Sequence, residues 1–238
     1  MENLENKTAL ITGGSRGIGF GIAESLIKQQ ANVAVTARTK ASADIAAQTL
    51  NQLKKGQAIG IEADVRSADS QRKAVQQVLD KWGKLDLLVA NAGVGHFGSV
   101  DKLTEEQWRE TIDTNLTGVF YSIKASVEAL RVSKGYIITI ASLAGTNFFA
   151  GGAAYNASKF GLVGFTQAVM LDLRNDGIKV TTIMPGSVAT NFSSGPGSGD
   201  SWKIQPEDLG QMVVDLLKMN PRTLPSKIEV RPSIAGKG

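Results

Sequence analysis

The chain has 238 residues, 42% of them hydrophobic and 20% charged with both signs mixed, a balance that suits one folded domain rather than a disordered chain. Its net charge of +4 comes from scattered Lys and Arg with no run longer than Lys54-Lys55, which argues against nucleic acid as a partner. The absence of cysteine, a single histidine (His96) and the lack of any apolar run of spanning length exclude disulfides, thiolate chemistry, multi-histidine metal sites and a membrane helix, so no metal is expected.

In chain order, residues 7–12 read as a buried strand running into glycines, and 17–30 as a helix with Ile18, Ile22, Leu26 and Ile27 on one side. A strand at 32–37 precedes a helix at 42–54 closed by Gly56. Next come a strand at 57–63, a helix at 68–82 ending at Gly83, and a strand at 85–90. One long helix is expected over 104–130 with Thr104 as its cap. A strand at 135–141, a helix at 154–175, a strand at 178–184, a helix at 206–219 and a short strand at 227–231 complete the chain. Strands alternating with helices, each strand nearly continuous in apolar residues, predict an α/β protein whose parallel sheet is covered on both faces. Right-handed crossovers make that sheet doubly wound, with ligands outside the carboxyl ends of its strands. No linker interrupts the pattern, so residues 1–238 read as a single domain. The Gly/Ser-rich stretch near 190–203 is either a surface loop or a lid over substrate.

Between the first strand and the first helix lies Thr12-Gly13-Gly14-Ser15-Arg16-Gly17-Ile18-Gly19. Its glycines permit a tight turn and close approach of a pyrophosphate to the N–H groups of the helix that follows. After the second strand, where a carboxylate would hold an NAD ribose, stands Ala37-Arg38-Thr39-Lys40. Arg38, with Arg16, suits a 2′-phosphate instead, which favours NADP(H). Tyr155 and Lys159 are four apart at a helix start and so share a face. An ammonium beside a phenol is expected to lower the phenol pKa and make it a usable acid.

Together these features resemble the short-chain dehydrogenase/reductase family over about residues 5 to 190, with a Rossmann-type sheet of about seven strands. Gly13, Ser15, Arg16, Gly17, Ile18 and Gly19 resemble its cofactor loop, with Arg38 and Thr39 following the second strand. Asp64-Val65 resembles its adenine-contact pair and Asn91-Ala92-Gly93 its Asn-Ala-Gly motif. Pro185-Gly186, with Val188 and Thr190, resembles the segment that closes over the nicotinamide. Asn115, Ser142, Tyr155 and Lys159 fall in the order and spacing of its catalytic tetrad. The resemblance implies NADP(H) as cofactor and a ketone or aldehyde as substrate, reduced to the alcohol. Tyr155 would donate the proton, Ser142 would orient the carbonyl, and Lys159 would bind the cofactor ribose. Asn115 would hold a water that relays protons to Lys159.

The substrate side is expected to include Ser142, Tyr155, His96, Asn147, Phe149 and Phe192, although His96 also reads as part of a surface loop. The body is most like 3-oxoacyl-[acyl-carrier-protein] reductases, whereas the tail Pro225-Ser226-Lys227-Ile228-Glu229-Val230 is not. Carrier-protein substrates are therefore one alternative. A non-catalytic NADP sensor is another, and the intact tetrad disfavours it. The family also implies a homodimer or homotetramer through the helices near 104–130 and 153–175. Val119, Ile123, Val127, Phe160, Val163 and Phe165 would supply the apolar surface. The polar, acidic start lacks a secretory h-region, so a cytoplasmic location is expected.

Overall fold

Each apolar run is short, rich in Val, Ile, Leu and Ala, and stopped by glycine or a capping residue, which favours a buried strand over a helix. In the computed structural model, which describes residues 4–53, 57–190 and 200–234, these runs form one seven-stranded sheet. Its strands are β1 (Thr8–Ile11), β2 (Asn32–Ala37), β3 (Ala58–Glu62), β4 (Leu87–Ala90), β5 (Tyr136–Ile140), β6 (Lys179–Pro185) and β7 (Lys227–Val230). All pair in parallel, in the order β3-β2-β1-β4-β5-β6-β7. The doubly wound topology anticipated from the alternating pattern is the one observed.

Helices α1 (Gly17–Lys28), α2 (Lys40–Leu53) and α7 (Pro206–Lys218) cover one face of the sheet. There Ile22, Leu26, Leu50, Leu209 and Val213 pack on Val33, Val35 and Val89. Helices α3 (Ala68–Trp82), α4 (Glu105–Ile112), α5 (Gly118–Ser133) and α6 (Ala153–Leu173) lie on the other. On that face Val78, Ile123, Leu130 and Leu162 pack on Leu10, Leu88 and Ile137. From β1 the chain winds outward to β2 and β3, then returns to begin β4 on the opposite side. The carboxyl ends of β1 and β4 therefore flank the switch point, where a doubly wound sheet opens a crevice.

Two expectations need correction. The single helix expected over 104–130 is α4, a π-helical turn at Asp113–Thr117, and α5. Thr104 does cap it, exchanging hydrogen bonds with Gln107. The π turn carries one extra residue and bulges at Asn115, whose side chain is drawn to the main chain of Val94 at 2.8 Å through both its donor and its acceptor. The apolar residues expected to face a partner also divide differently. Val119 and Ile123 are buried in the core, and Val127, Val163 and Phe165 pack partly against it. The large apolar side chains exposed on α4, α5 and α6 include Trp108, Phe120, Phe160 and Leu171, with Phe120 edge-on to Phe165. Residue 56 and most of the Gly/Ser-rich stretch lie outside the described residues, and so does Phe192.

Candidate active site

The crevice at the switch point has a volume of about 1040 Å³ and runs from the end of β2 to the ends of β5 and β6. Its floor is the glycine loop. Gly13 has φ +61°, and a Cβ there would lie 2.9 Å from the Ala92 Cα, so glycine is required twice over. Thr12 and Thr36 fix the loop from below: the Thr12 hydroxyl accepts from the N–H groups of Asn91 (3.0 Å) and Ala92 (3.1 Å), and the Thr36 hydroxyl accepts from Gly13 N–H (3.3 Å). The Asn91 amide donates to the carbonyls of Thr12 (2.9 Å) and Gly13 (3.1 Å). The N-terminus of α1 has no side-chain cap and no acidic residue in its first turn, so its dipole and N–H groups suit an anion.

At the other end, Ser142 leaves β5 and Tyr155 and Lys159 descend from the first turns of α6. The Tyr155 phenol hydrogen-bonds Ser142, and burial pushes its pKa up despite that bond. Lys159 is fully buried, donates to the Ile140 carbonyl at 3.0 Å, and is pushed down to about 8 by desolvation. Its Nζ stands 5.7 Å from the centre of the Tyr155 ring. The expected lowering of the phenol by Lys159 is therefore not what this arrangement produces. The ammonium lies over the ring, and the cost of a buried phenolate outweighs the hydrogen bond from Ser142. The result is a phenol that keeps its proton at neutral pH, beside an amine that titrates near it. Asn115 is wholly buried, and its amide hydrogens go to the Val94 carbonyl and, at 3.0 Å, to the Ser158 hydroxyl.

The β2 end is built from exposed charges. Arg38 reaches Glu110 of α4 at 3.8 Å, and the other Glu110 oxygen meets His96 Nε2 at 2.8 Å. Asp64 accepts from the Arg66 guanidinium at 2.6 and 3.1 Å, which holds its carboxyl below the usual range. Thr39 lines this end and also accepts from Ser42 N–H at 3.3 Å, which is why α2 starts at Lys40 rather than at 42. Among the described residues no three His, Cys, Asp or Glu side chains are grouped to hold a metal ion.

The short chain dehydrogenase family model matches residues 7–198. The chain belongs to the short-chain dehydrogenase family. It is thus an oxidoreductase that interconverts alcohol and carbonyl groups. It is 35% identical over 192 residues to the 3-oxoacyl-[acyl-carrier-protein] reductase FabG of Vibrio cholerae, covering 80% of this chain and 77% of that one. It is also 35% identical over 199 residues to the trans-4-hydroxycyclohexanecarboxylate dehydrogenase of Sinomonas cyclohexanicum, covering 82% and 77%. Among solved structures, an alcohol dehydrogenase from Thermococcus sibiricus complexed with 5-hydroxy-NADP superposes with a TM-score of 0.90 at 28% identity, covering 98% of this chain and 99% of its own.

Within this family member, most of the residues expected at the site share the one cleft. Gly13, Ser15, Arg16, Gly17, Ile18, Arg38, Thr39, Asp64, Val65, Asn91, Ala92, Gly93, Ser142, Tyr155, Lys159, Pro185, Gly186, Val188 and Thr190 line it. Gly19 does not: a Cβ there would strike the Asn91 amide and the Gly13 carbonyl, so its part is to let α1 approach the loop. Asn115 supports the wall from behind. Asn147 donates to Leu143 O and Thr146 Oγ1, and Phe149 lies beyond the lining of the cleft, reaching Tyr155 through the Phe97 ring. His96 lines the cleft, its Nε2 2.8 Å from a Glu110 carboxylate oxygen. Glu110, Arg66 and Phe97 stand at or beside the cleft without a motif to mark them. Nothing local marks Glu110 on its helix, whereas Phe97 directly follows His96 in the segment after the Asn-Ala-Gly motif.

Proposed function

We propose that the protein is an NADP(H)-dependent reductase of ketones or aldehydes. The observation that carries the reading is a protonated phenol, Tyr155, hydrogen-bonded to Ser142 beside the fully buried Lys159 at one end of a dinucleotide-sized cleft. The cleft fits the cofactor: the glycine loop packs closely on Ala92, Val35 and Asn91 because its residues carry no Cβ, which brings its backbone and the start of α1 to the cleft floor where a pyrophosphate would lie, and Arg16, Arg38 and Ser42 line the end where a 2′-phosphate would lie. A relative of the same fold is described in complex with 5-hydroxy-NADP. When bound, the nicotinamide supplies the hydride.

The chain's own groups then manage the oxygen. Ser142 Oγ and Tyr155 Oη converge on one point, where a carbonyl oxygen would accept from both. As charge grows on that oxygen, Tyr155 gives it a proton, and the raised phenol pKa keeps the donor loaded at neutral pH. Lys159, held by the Ile140 carbonyl in the cleft wall, is placed for the cofactor ribose, and the phenolate left behind regains its proton from solvent. The Asn115 amide is committed to Val94 and Ser158, so a water held by this residue would rest on the main chain of the π turn. Asn115 thus acts as a positioning residue.

The similarity to FabG supports a second reading, reduction of 3-oxoacyl groups on a carrier protein. One assay tests both: oxidation of NADPH or NADH followed by absorbance against an acetoacetyl thioester, an aldehyde, a diketone and a cyclic ketone. NADPH oxidation with free carbonyls supports the leading reading, and selectivity for the thioester supports the second. A protein that binds NADPH yet reduces none of them would overturn both and leave a sensor. We further propose a homodimer through the exposed Trp108, Phe120, Phe160 and Leu171 on α4, α5 and α6. A monomeric mass in solution scattering would refute it.

A further inference from the structure

Against the Tyr155 ring stands an aromatic cluster that the reductase reading does not use. The Phe97 ring lies 5.4 Å from the Tyr155 ring at 60°, and Phe149 continues the row 6.1 Å from Phe97 at 42°. Phe97 and Phe149 are each 48% exposed, an unusual state for two phenylalanines that touch one another and a reactive hydroxyl's ring. They are also held firmly. Gly98 N–H donates to Gly151 O at 2.9 Å and ties together the loops that carry the two rings. Asn156 donates to the carbonyls of Ala144 and Asn147 at 2.8 Å each, and its side-chain oxygen accepts from Phe149 N–H at 3.4 Å. A Cβ on Gly152 would lie 2.8 Å from the Phe149 ring, so the ring is seated against the backbone. This is a preorganised wall of rings rather than a loose apolar patch.

We propose that Phe97, Phe149 and Tyr155 form the substrate wall and select carbonyl compounds with an aryl ring next to the carbonyl. The proposal rests on the reductase reading, which fixes the reacting carbon beside Tyr155 Oη. With the cofactor in the cleft on one side of that carbon, a substituent leaves across Tyr155 onto Phe97. Every side chain in the wall is uncharged, so a polar or anionic arm finds no partner there. An aryl ring meets tilted ring faces and edges in the geometry that aromatic pairs prefer, a gain beyond its apolar area. A saturated ring of equal size gains area alone.

The test compares acetophenone with cyclohexyl methyl ketone, which share a carbon skeleton, in wild type, Phe97→Leu and Phe149→Leu. Leucine keeps apolar area and removes the ring, at positions exposed enough to leave folding intact. Wild type should prefer acetophenone about two- to ten-fold in kcat/KM, and Phe97→Leu should erase most of that preference without changing NADPH affinity. Equal rates for the two ketones, or a preference that survives both substitutions, would overturn the wall. Ligand-observed NMR binding of the same ketones to the NADP⁺-loaded protein reads the same ratio without turnover. Ring-selective binding that Phe97→Leu abolishes supports the wall even if no carbonyl is reduced, a result that would sink only the reductase reading.

Discussion

The two ends of the cleft are built on opposite electrostatic plans. At the β2 end, exposed Arg38 and Arg66 pair with half-buried Glu110 and Asp64, where each contact is screened and exchangeable. At the β5 end, Lys159 and Asn115 are buried, and Tyr155 is largely withdrawn from solvent with Ser142. There each polar group is worth more because water cannot replace it. The first end suits a ligand that must bind and leave. The second suits a proton transfer, whose groups must hold fixed protonation states. Perturbing the buried end should therefore change chemistry by orders of magnitude, and perturbing the exposed end should change affinity by small, salt-dependent factors.

The largest effect is expected for Tyr155→Phe, which removes the acid and keeps the ring against Phe97. Turnover should fall roughly a hundred- to ten-thousand-fold with cofactor affinity unchanged. Stopped-flow single turnovers would show it, and a loss under tenfold would remove Tyr155 from the proton-donor role. Lys159 gives the next contrast through stability. Burial pushes its pKa from the ordinary 10.5 down to about 8, so between those values the unfolded chain binds more protons than the folded one. Stability from this group therefore rises with pH across that window, and below about 8 the cost of burying the charge is complete. Cofactor-free wild type should gain melting temperature relative to Lys159→Met between pH 8 and 10.5, by a few degrees, read by calorimetry at matched ionic strength. A constant gap would mean that Lys159 is solvated.

These two ends also differ in how far the sequence reveals them. The buried end was legible because its geometry is local: a four-residue spacing puts Tyr155 and Lys159 on one helix face, and a glycine loop between a strand and a helix has few other uses. The sheet order followed for the same reason, from alternation and handed crossovers. What stayed hidden depends on contacts across long stretches of chain. Glu110 meets Arg38, the residue that follows β2, from more than seventy residues along the chain, and periodicity on α4 says nothing of that. The π turn at Asn115 is forced by its hold on Val94, a tertiary bond that overrides helical spacing. Helical spacing alone does not say which apolar stripe faces the sheet, so Val119 and Ile123 read as interface residues and lie in the core. The sequence supplies the charge beside Tyr155 and not the burial that outweighs it, so the direction of the phenol's shift is set only by the fold.

At the exposed end, Arg38→Asp should weaken NADPH about ten- to a hundred-fold and NADH far less, by removing a charge-assisted bond to the 2′-phosphate. The difference should shrink as salt is raised. Equal losses for the two cofactors would refute the phosphate assignment. Glu110→Gln is the smallest and most informative change. In the free protein Glu110 engages both Arg38 and His96, so a 2′-phosphate must take Arg38 from a carboxylate that also repels it. Glutamine keeps the shape and a hydrogen bond to His96 while removing the competing charge. NADPH should bind about two- to five-fold more tightly, the scale of an exposed ion pair, with NADH unaffected. Titration of both cofactors by fluorescence at low and high salt decides it. Weaker NADPH binding in the variant would mean that Glu110 holds Arg38 in place for the phosphate instead of competing for it, and the exposed end would then be preorganised like the buried one.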